Sequence, residues 1–178
     1  MTAQTAIQPL DEFYRRQHRA LPAFEVVEPD AIPKPYRTLL VHDRDMTRTL
    51  EQFHGDSIHL QVLSKHQEDG MYGRESVLQL DASGRPVEFG AIRIHLGRFP
   101  DEARTQILEE HRPLGGILNK AHIPYTSRPT AYLRFAADQF IATALGIRRP
   151  AFLFGRQNTL RNAQGEVLAE IIEILPPA

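Results

Sequence analysis

The sequence predicts an α+β domain built on one antiparallel β-sheet, with helices on one side of it. Three segments between residues 57 and 96 follow a two-residue period and are joined by the turns Gln67–Gly70 and Asp81–Gly84, which is typical of an antiparallel meander. Residues 151–175 form two arms rich in β-formers around a glycine-containing turn, so they predict a terminal hairpin. Strands and helices occur in clusters, which argues against βαβ alternation.

The first 35 residues are predicted to form a helix followed by a strap. Leu10, Phe13 and Tyr14 recur at helical spacing among charged residues, which indicates a short amphipathic helix. The four prolines between residues 22 and 35 then indicate an extended, non-helical passage. We therefore expect an N-terminal helix and proline-rich strap over 1–35 and the main domain over 36–178, with a single core overall.

Helices are predicted at four further places. Asp45 can cap a helix over 45–54, and Gly55 stands where that helix should stop. The acidic residues that follow Pro100 suit the positive end of a helix dipole. The other predicted elements are a helix to about His111, a short helix after Pro113, a strand over 124–135 and a helix over 136–145.

The amino-acid composition excludes several classes of binding partner for this chain. The 178 residues include 21 Lys plus Arg against 22 Asp plus Glu, a net charge of −1 without a basic run, so nucleic acid is not expected as a partner. The absence of Cys excludes disulfides and thiolate chemistry, and the eight His show no ligand spacing, so no metal is expected. The sequence has neither a signal-like start nor a membrane-length apolar run, so we expect a cytoplasmic protein without membrane contact.

Arg74 lies on an apolar strand face. It shares that face with Leu78 and Leu80, so it points into the core if they do. A buried guanidinium stays charged and requires an anion. The sequence leaves two partners open, a ligand carboxylate or an internal carboxylate such as Glu173.

The terminal strand carries one Glu on each face, Glu170 and Glu173. Whichever faces the core should have a raised pKa, in the range that suits general acid–base chemistry, whereas a solvated place at the sheet rim is the alternative. Arg156, which shares a strand face with Phe154 and Leu160, is likewise either directed into the core or placed at the solvated rim of the sheet.

Two glycine positions are also notable. Gly90 lies within a strand, which indicates a bulge or the close approach of another group. Leu114, Gly115 and Gly116 follow Pro113 and either expose N–H groups to an anion or form an ordinary turn.

Several short motifs together resemble the chorismate pyruvate-lyase family, over about residues 36–177. The likeness implies a six-stranded antiparallel sheet with helices on one face and a ligand cavity between sheet and helical flaps. It also implies a cofactor-independent lyase that converts chorismate to 4-hydroxybenzoate, or a related hydroxybenzoate, and pyruvate. The motifs, in order, are Arg37–Val41, Tyr72–Glu75, Gly84–Gly90, Pro113–Leu118, Phe154–Arg156 and Gly165–Pro176.

The resemblance also implies roles for individual residues. Arg74 would hold a substrate carboxylate, and Glu173 would be the acid, preferred to Glu170 because it stands shortly before Pro176. The partner would be a small carboxylate substrate, bound by a monomer or homodimer without metal or cofactor. The implied substrate-binding residues are Gly90, Leu114, Gly115 and Arg156.

A second family resembles the same fold. The UTRA ligand-binding module of transcription regulators has a terminal hairpin similar to Phe152–Leu175, so a non-catalytic module for an aromatic or carboxylate ligand is the alternative. The residues before position 36 are too few for a winged helix-turn-helix and show no such motif, which favours the lyase. Gly116 and the pair Gln157–Asn158 depart from the lyase pattern, and both changes could alter the ligand.

Overall fold

The computed structural model describes residues 6–177, and its central feature is one antiparallel β-sheet. The sheet has seven strands, β1 Phe24–Val27, β2 Ile58–Glu68, β3 Met71–Leu80, β4 Pro86–His95, β5 Thr126–Ala136, β6 Phe152–Arg161 and β7 Val167–Leu175. Their order across the sheet is β1-β5-β6-β7-β4-β3-β2. The predicted meander (β2 to β4) and terminal hairpin (β6 and β7) are both confirmed, and β7 pairs with β4 to join them.

Five of the six α-helices in residues 6–177, among them α3 Met46–His54, lie near the predicted places, and the helix Tyr36–Leu40 was not predicted. The cap of α3 is as expected, because the Asp45 carboxylate accepts a hydrogen bond from the Thr47 N–H at 3.1 Å and Gly55 adopts a φ of 67°. None of the helices in residues 6–177 is long and apolar enough to cross a membrane. The helices are α1 Leu10–Arg16, α2 Tyr36–Leu40, α3 Met46–His54, α4 Asp101–Glu109, α5 Leu114–Lys120 and α6 Gln139–Ala144.

The expectation of six strands is wrong, because the proline-rich strap contributes a seventh. Its residues Phe24–Val27 form β1 and pair with β5 at the edge of the sheet, with Phe24 opposite Phe135. A four-residue strand between prolines is too short to show a two-residue period, so the sequence indicated only an extended passage. Residues 1–5 of the predicted 1–35 segment, and residue 178 of the predicted 36–178 domain, lie outside the described residues.

Helices cover both faces of the sheet, which corrects the expectation of one covered face. On one face, Phe13 of α1 and Ile141 of α6 are buried against Phe89 and Ile174. The effect of this second layer is seen in β3, where residues 72–78 are all buried instead of alternating between buried and exposed. The other face packs against α2 to α5 through buried apolar residues that include Leu39, Leu50, Ile107 and Ile117.

A buried ion pair holds the chain after α1 to the sheet. Glu75 of β3 is fully buried and accepts hydrogen bonds from Arg19 at 3.0 Å, Gln17 at 2.8 Å and Ser64 at 2.6 Å. The Arg19 guanidinium also lies over the Phe140 ring of α6, 3.5 Å from its centroid. The N-terminal segment is therefore part of the same packed structure as the sheet.

We predict that Gly155→Ala destabilises the fold. A Cβ at Gly155 would collide with the backbone carbonyl oxygen of Glu173 on the paired strand β7, and backbone cannot move aside as a side-chain tip can. Overpacking of this kind costs about 1–3 kcal/mol. Urea unfolding should show that loss, whereas Gly97→Ala, where nothing lies within 4 Å, should change the unfolding free energy little. Equal stabilities for the two variants would contradict the close approach.

Candidate functional site

Cross-strand register gathers polar residues on the sheet face beneath α3 and α5. One row across the sheet runs from Ser76 through Gly90 and Glu173 to Arg156. The next row begins at Arg74 and ends at Asn158, with isoleucines between them. The sheet face thus carries charged and polar side chains around a central glycine, at positions that should otherwise be apolar.

These rows form the floor of a cavity of about 70 Å³, roofed by the start of α3 and of α5. Gly90 supplies the floor, because a Cβ there would lie 3.3 Å from Oε1 of Glu88 and 3.8 Å from Oγ of Ser76. The exposed Arg44 lies at its rim. The space admits a compact ligand, and a larger one would require the two helices to separate.

Arg74 is a buried cation without an acidic partner. Its side chain is 2% exposed, and its Nε and Nη1 have no hydrogen-bond partner among the described residues. Burial lowers its pKa, which the nearby hydroxyl of Tyr72 and the charge of Glu110 partly oppose. Glu110 is itself engaged elsewhere, because it accepts hydrogen bonds from Tyr72 at 2.6 Å and Lys65 at 2.8 Å.

Glu173 pairs with Arg156. Nε of Arg156 donates to Oε2 of Glu173, and both side chains are buried. The spacing of residues and strands puts the Cα atoms of Arg74 and Glu173 roughly 12 Å apart. Of the two partners that the sequence leaves open for Arg74, the internal ion pair with Glu173 is not formed.

Arg156 also ties the end of α2 to the sheet. Its Nη1 donates to the carbonyl oxygens of Leu40 at 3.1 Å and His42 at 2.8 Å. Burial and the Arg156 charge lower the pKa of His42 to about 4, so this ring is neutral near neutral pH and can accept from Arg156 at Nδ1. Arg156 therefore holds Glu173 and the end of α2 in place, but it is not among the residues that line the cavity.

Glu88 is a second buried acid at the cavity. Burial, reinforced by the charge of Glu173, raises the pKa of Glu88 well above its usual range. Its Oε2 has no hydrogen-bond partner in the described structure. A protonated Glu88 can donate one hydrogen bond and accept another, so it suits a neutral polar group.

Asp45 fixes the helical roof. Its carboxylate caps α3 and accepts a hydrogen bond from Nδ2 of Asn119 on α5 at 2.9 Å. Gly115 makes this contact possible, because a Cβ there would overlap the Asp45 carboxylate. Burial raises the pKa of Asp45, against the hydrogen bond from Thr47.

The structure brings five of the six predicted site residues to one cavity. They are Arg74, Gly90, Leu114, Gly115 and Glu173, and the sixth, Arg156, reaches the cavity only through Glu173. Their part in ligand binding stays a prediction. Glu170, the alternative acid, faces the other side of the sheet and pairs with Arg93 at 2.5 Å.

Sequence reasoning missed several polar residues that line the cavity. Asn158 and Ser127 hydrogen-bond each other at 3.0 Å, and Ser76 lies one row from Arg74. The same alternation that singled out Arg74 also placed Ser76 on its face, and this signal was available. Glu88 also lines the cavity, and strand alternation places it on the face of Gly90, so this signal was available too. Asp45 and Tyr125 gave no comparable signal, because their places depend on which segments lie over the sheet.

Solved structures share this fold. The effector domain of PhnF from Mycobacterium smegmatis matches with a TM-score of 0.57 and 13% identity, over 76% of this chain and 90% of that one. The PhnF chain from the same organism matches with a TM-score of 0.58 and 14% identity over 76% of this chain, which spans only 65% of it. The ligand-binding domain of a Bordetella bronchiseptica protein assigned to the GntR family of transcriptional regulators matches with a TM-score of 0.50 and 10% identity, over 67% and 85%.

These comparisons establish an α+β fold of the kind found in regulator effector domains. No family model matches the chain, and no curated protein matches it either. The likeness to the UTRA fold is therefore confirmed at the level of fold, and the chorismate lyase assignment is not supported. The expectation of an enzyme is wrong, because the structural neighbours include the effector domain of PhnF and the ligand-binding domain of a transcriptional regulator.

We predict that Glu88→Gln stabilises the protein in a pH-dependent way. A carboxyl whose pKa is raised by folding stays protonated while the unfolded chain ionises, so wild-type stability falls as pH rises above the unfolded pKa of Glu88. The gain in Tm from Glu88→Gln should be clear at about pH 7 and should vanish at about pH 4. The exposed Glu28→Gln serves as the control. A Tm difference that is the same at both pH values would contradict the raised pKa.

Proposed function

We propose that this chain is a non-catalytic ligand-binding module that holds a compact anionic molecule in the cavity between the sheet and α3 and α5. The observation that carries the proposal is Arg74, a buried guanidinium that lines the cavity with Nε and Nη1 unpartnered. A carboxylate or phosphate is the chemical group that a guanidinium fork binds best.

Energetics favour a ligand over an empty site. An unpaired buried charge costs several kcal/mol, and each unmade buried hydrogen bond about 1–3 kcal/mol. Among the described residues no carboxylate forms an ion pair with Arg74, so an anion from outside would remove that cost. The anion would also meet Arg44 at the rim, which adds a second positive charge along its path.

The opposite end of the cavity suits the neutral part of the ligand. Glu88 is held protonated, and Glu173 is neutralised by Arg156, so neither repels a polar group. Asn158 and Ser127 supply further donors and acceptors nearby. A ligand with an anionic group at Arg74 and a hydroxyl, carbonyl or aromatic edge toward Glu88 satisfies both ends.

The same arrangement favours binding without chemistry. Glu173, the acid implied by the lyase resemblance, has its carboxylate bound by Arg156. The ligand-binding domain of the Bordetella bronchiseptica protein, which shares the fold, belongs to a transcriptional regulator. We propose by analogy a sensing role, in which the ligand sets the position of α3 and α5. The expectation that nucleic acid is excluded as a partner is not supported, because neighbours that share the fold include transcriptional regulators.

Arg74→Gln should abolish anion binding and leave the fold intact. Because Arg74 has no acidic partner among the described residues, its removal orphans no carboxylate, and the ligand-free Tm should be unchanged or higher. We would titrate wild type and variant with inorganic phosphate, acetate and benzoate, following Tm and heat of binding. At least one of these anions should bind wild type and bind the variant at least roughly tenfold more weakly.

The matched control is Arg112→Gln, an exposed arginine that does not line the cavity. It should bind the anions as wild type does. The proposal would be abandoned if no anion of the series bound wild type, or if Arg74→Gln and Arg112→Gln bound them equally well.

Gly90→Ala should separate binding from stability. The added methyl group would occupy part of a cavity of only about 70 Å³ and would press on the tip of Glu88, 3.3 Å away. Alanine in a strand also restricts the unfolded chain, which offsets this strain, so stability should change by less than about 1 kcal/mol. Anion affinity should fall roughly tenfold. Gly97→Ala is the control, and unchanged affinity in Gly90→Ala would contradict the placement of the ligand on Gly90.

A further inference from the structure

A second concave surface lies at the C-terminal end of α3. This groove encloses about 790 Å³. Val87 and Leu175, each 2% exposed, form its floor, and Leu39, Leu50 and Phe53 line its walls. It shares no lining residue with the cavity that contains Arg74, so the two are separate sites.

The groove is apolar and has rigid walls. Phe53, at the end of α3, leaves 51% of its surface exposed there. A large aromatic side chain that stays accessible in a concave surface is typical of a binding site. Prolines fix φ along the chain around it, which favours a groove that exists before any ligand arrives. These prolines are Pro35, Pro86, Pro150, Pro176 and Pro177.

All the charged residues that line the groove are basic. Arg85, Arg148 and Arg149 border it together with His54, and no Asp or Glu occurs among its described lining residues. Nη2 of Arg85 lies 3.0 Å from Nδ1 of His54, and burial with the charge of Arg85 lowers the pKa of that histidine. Arg148 and Arg149 are exposed, and neither forms an ion pair within the described chain.

We propose that this groove binds an amphipathic organic acid, a small molecule with an extended apolar body and one carboxylate. The apolar body would cover Val87, Leu175 and Phe53, and the carboxylate would meet Arg148 and Arg149. The volume lies within the range of small-molecule sites. An inorganic anion would leave the apolar floor wet, and a neutral apolar molecule would leave the cations without a counter-ion. The proposal does not depend on the function of the Arg74 cavity.

The test uses decanoate and its neutral counterpart decan-1-ol as probes, with the full chain and calorimetric titration. Decanoate should bind wild type at least roughly tenfold more tightly than decan-1-ol. Arg148→Gln with Arg149→Gln should remove most of that difference by weakening decanoate alone. Phe53→Ser, at a half-exposed position, should weaken both probes without lowering Tm.

Two control variants locate the binding. Arg112→Gln with Arg128→Gln changes the net charge equally at exposed positions outside the groove, and decanoate affinity should be unaffected. Arg74→Gln should also leave decanoate affinity unchanged. Three results would each overturn the proposal. The first is equal affinity for the acid and the alcohol, and the second is that neither binds. The third is loss of decanoate binding in Arg74→Gln but not in the Arg148/Arg149 double variant.

Discussion

The buried pair of Arg156 and Glu173 is the interaction on which the site depends. It joins β6 to β7 at the centre of the sheet and holds the end of α2 through the Leu40 and His42 carbonyl oxygens. Because Arg156 is the ion-pair partner of Glu173, Arg74 on the other side of the cavity forms no ion pair among the described residues. Removal of either partner of a buried pair leaves an isolated charge, which costs about 3–5 kcal/mol, so fold and site are coupled here.

Burial of the sheet on both faces is the second constraint. The face toward α1 and α6 packs around a large apolar cluster and also carries the ion pairs Glu75–Arg19 and Glu170–Arg93. The face toward α3 and α5 can therefore carry buried polar groups, which a sheet with one exposed face could not keep away from water. Gly90 then leaves unfilled space among these polar groups, and a cavity results.

The features that could be predicted from the sequence are those set by residues close together in the chain. The cap at Asp45, the stop at Gly55 and the strand period around Arg74 all follow from residues close in the chain, and each is found in the structure. The strand Phe24–Val27 and the second helical layer depend on contacts with distant segments, so no local sequence pattern predicts them. The sequence offered Glu173 as an internal partner for Arg74, whereas the order of the strands places Glu173 beside Arg156 instead.

Helix α3 lies between the two proposed sites, and this placement limits how either could act. Its first residues, with Asp45 at the cap, roof the cavity, and its last residues, Phe53 and His54, line the groove. A helix of nine residues is short enough to move as a rigid rod, so a shift at one end is transmitted to the other. An anion at Arg74 that displaces the start of α3, where the Asp45 carboxylate lies, would therefore change the shape of the groove. By reciprocity, an occupant of the groove would change affinity in the cavity by the same factor.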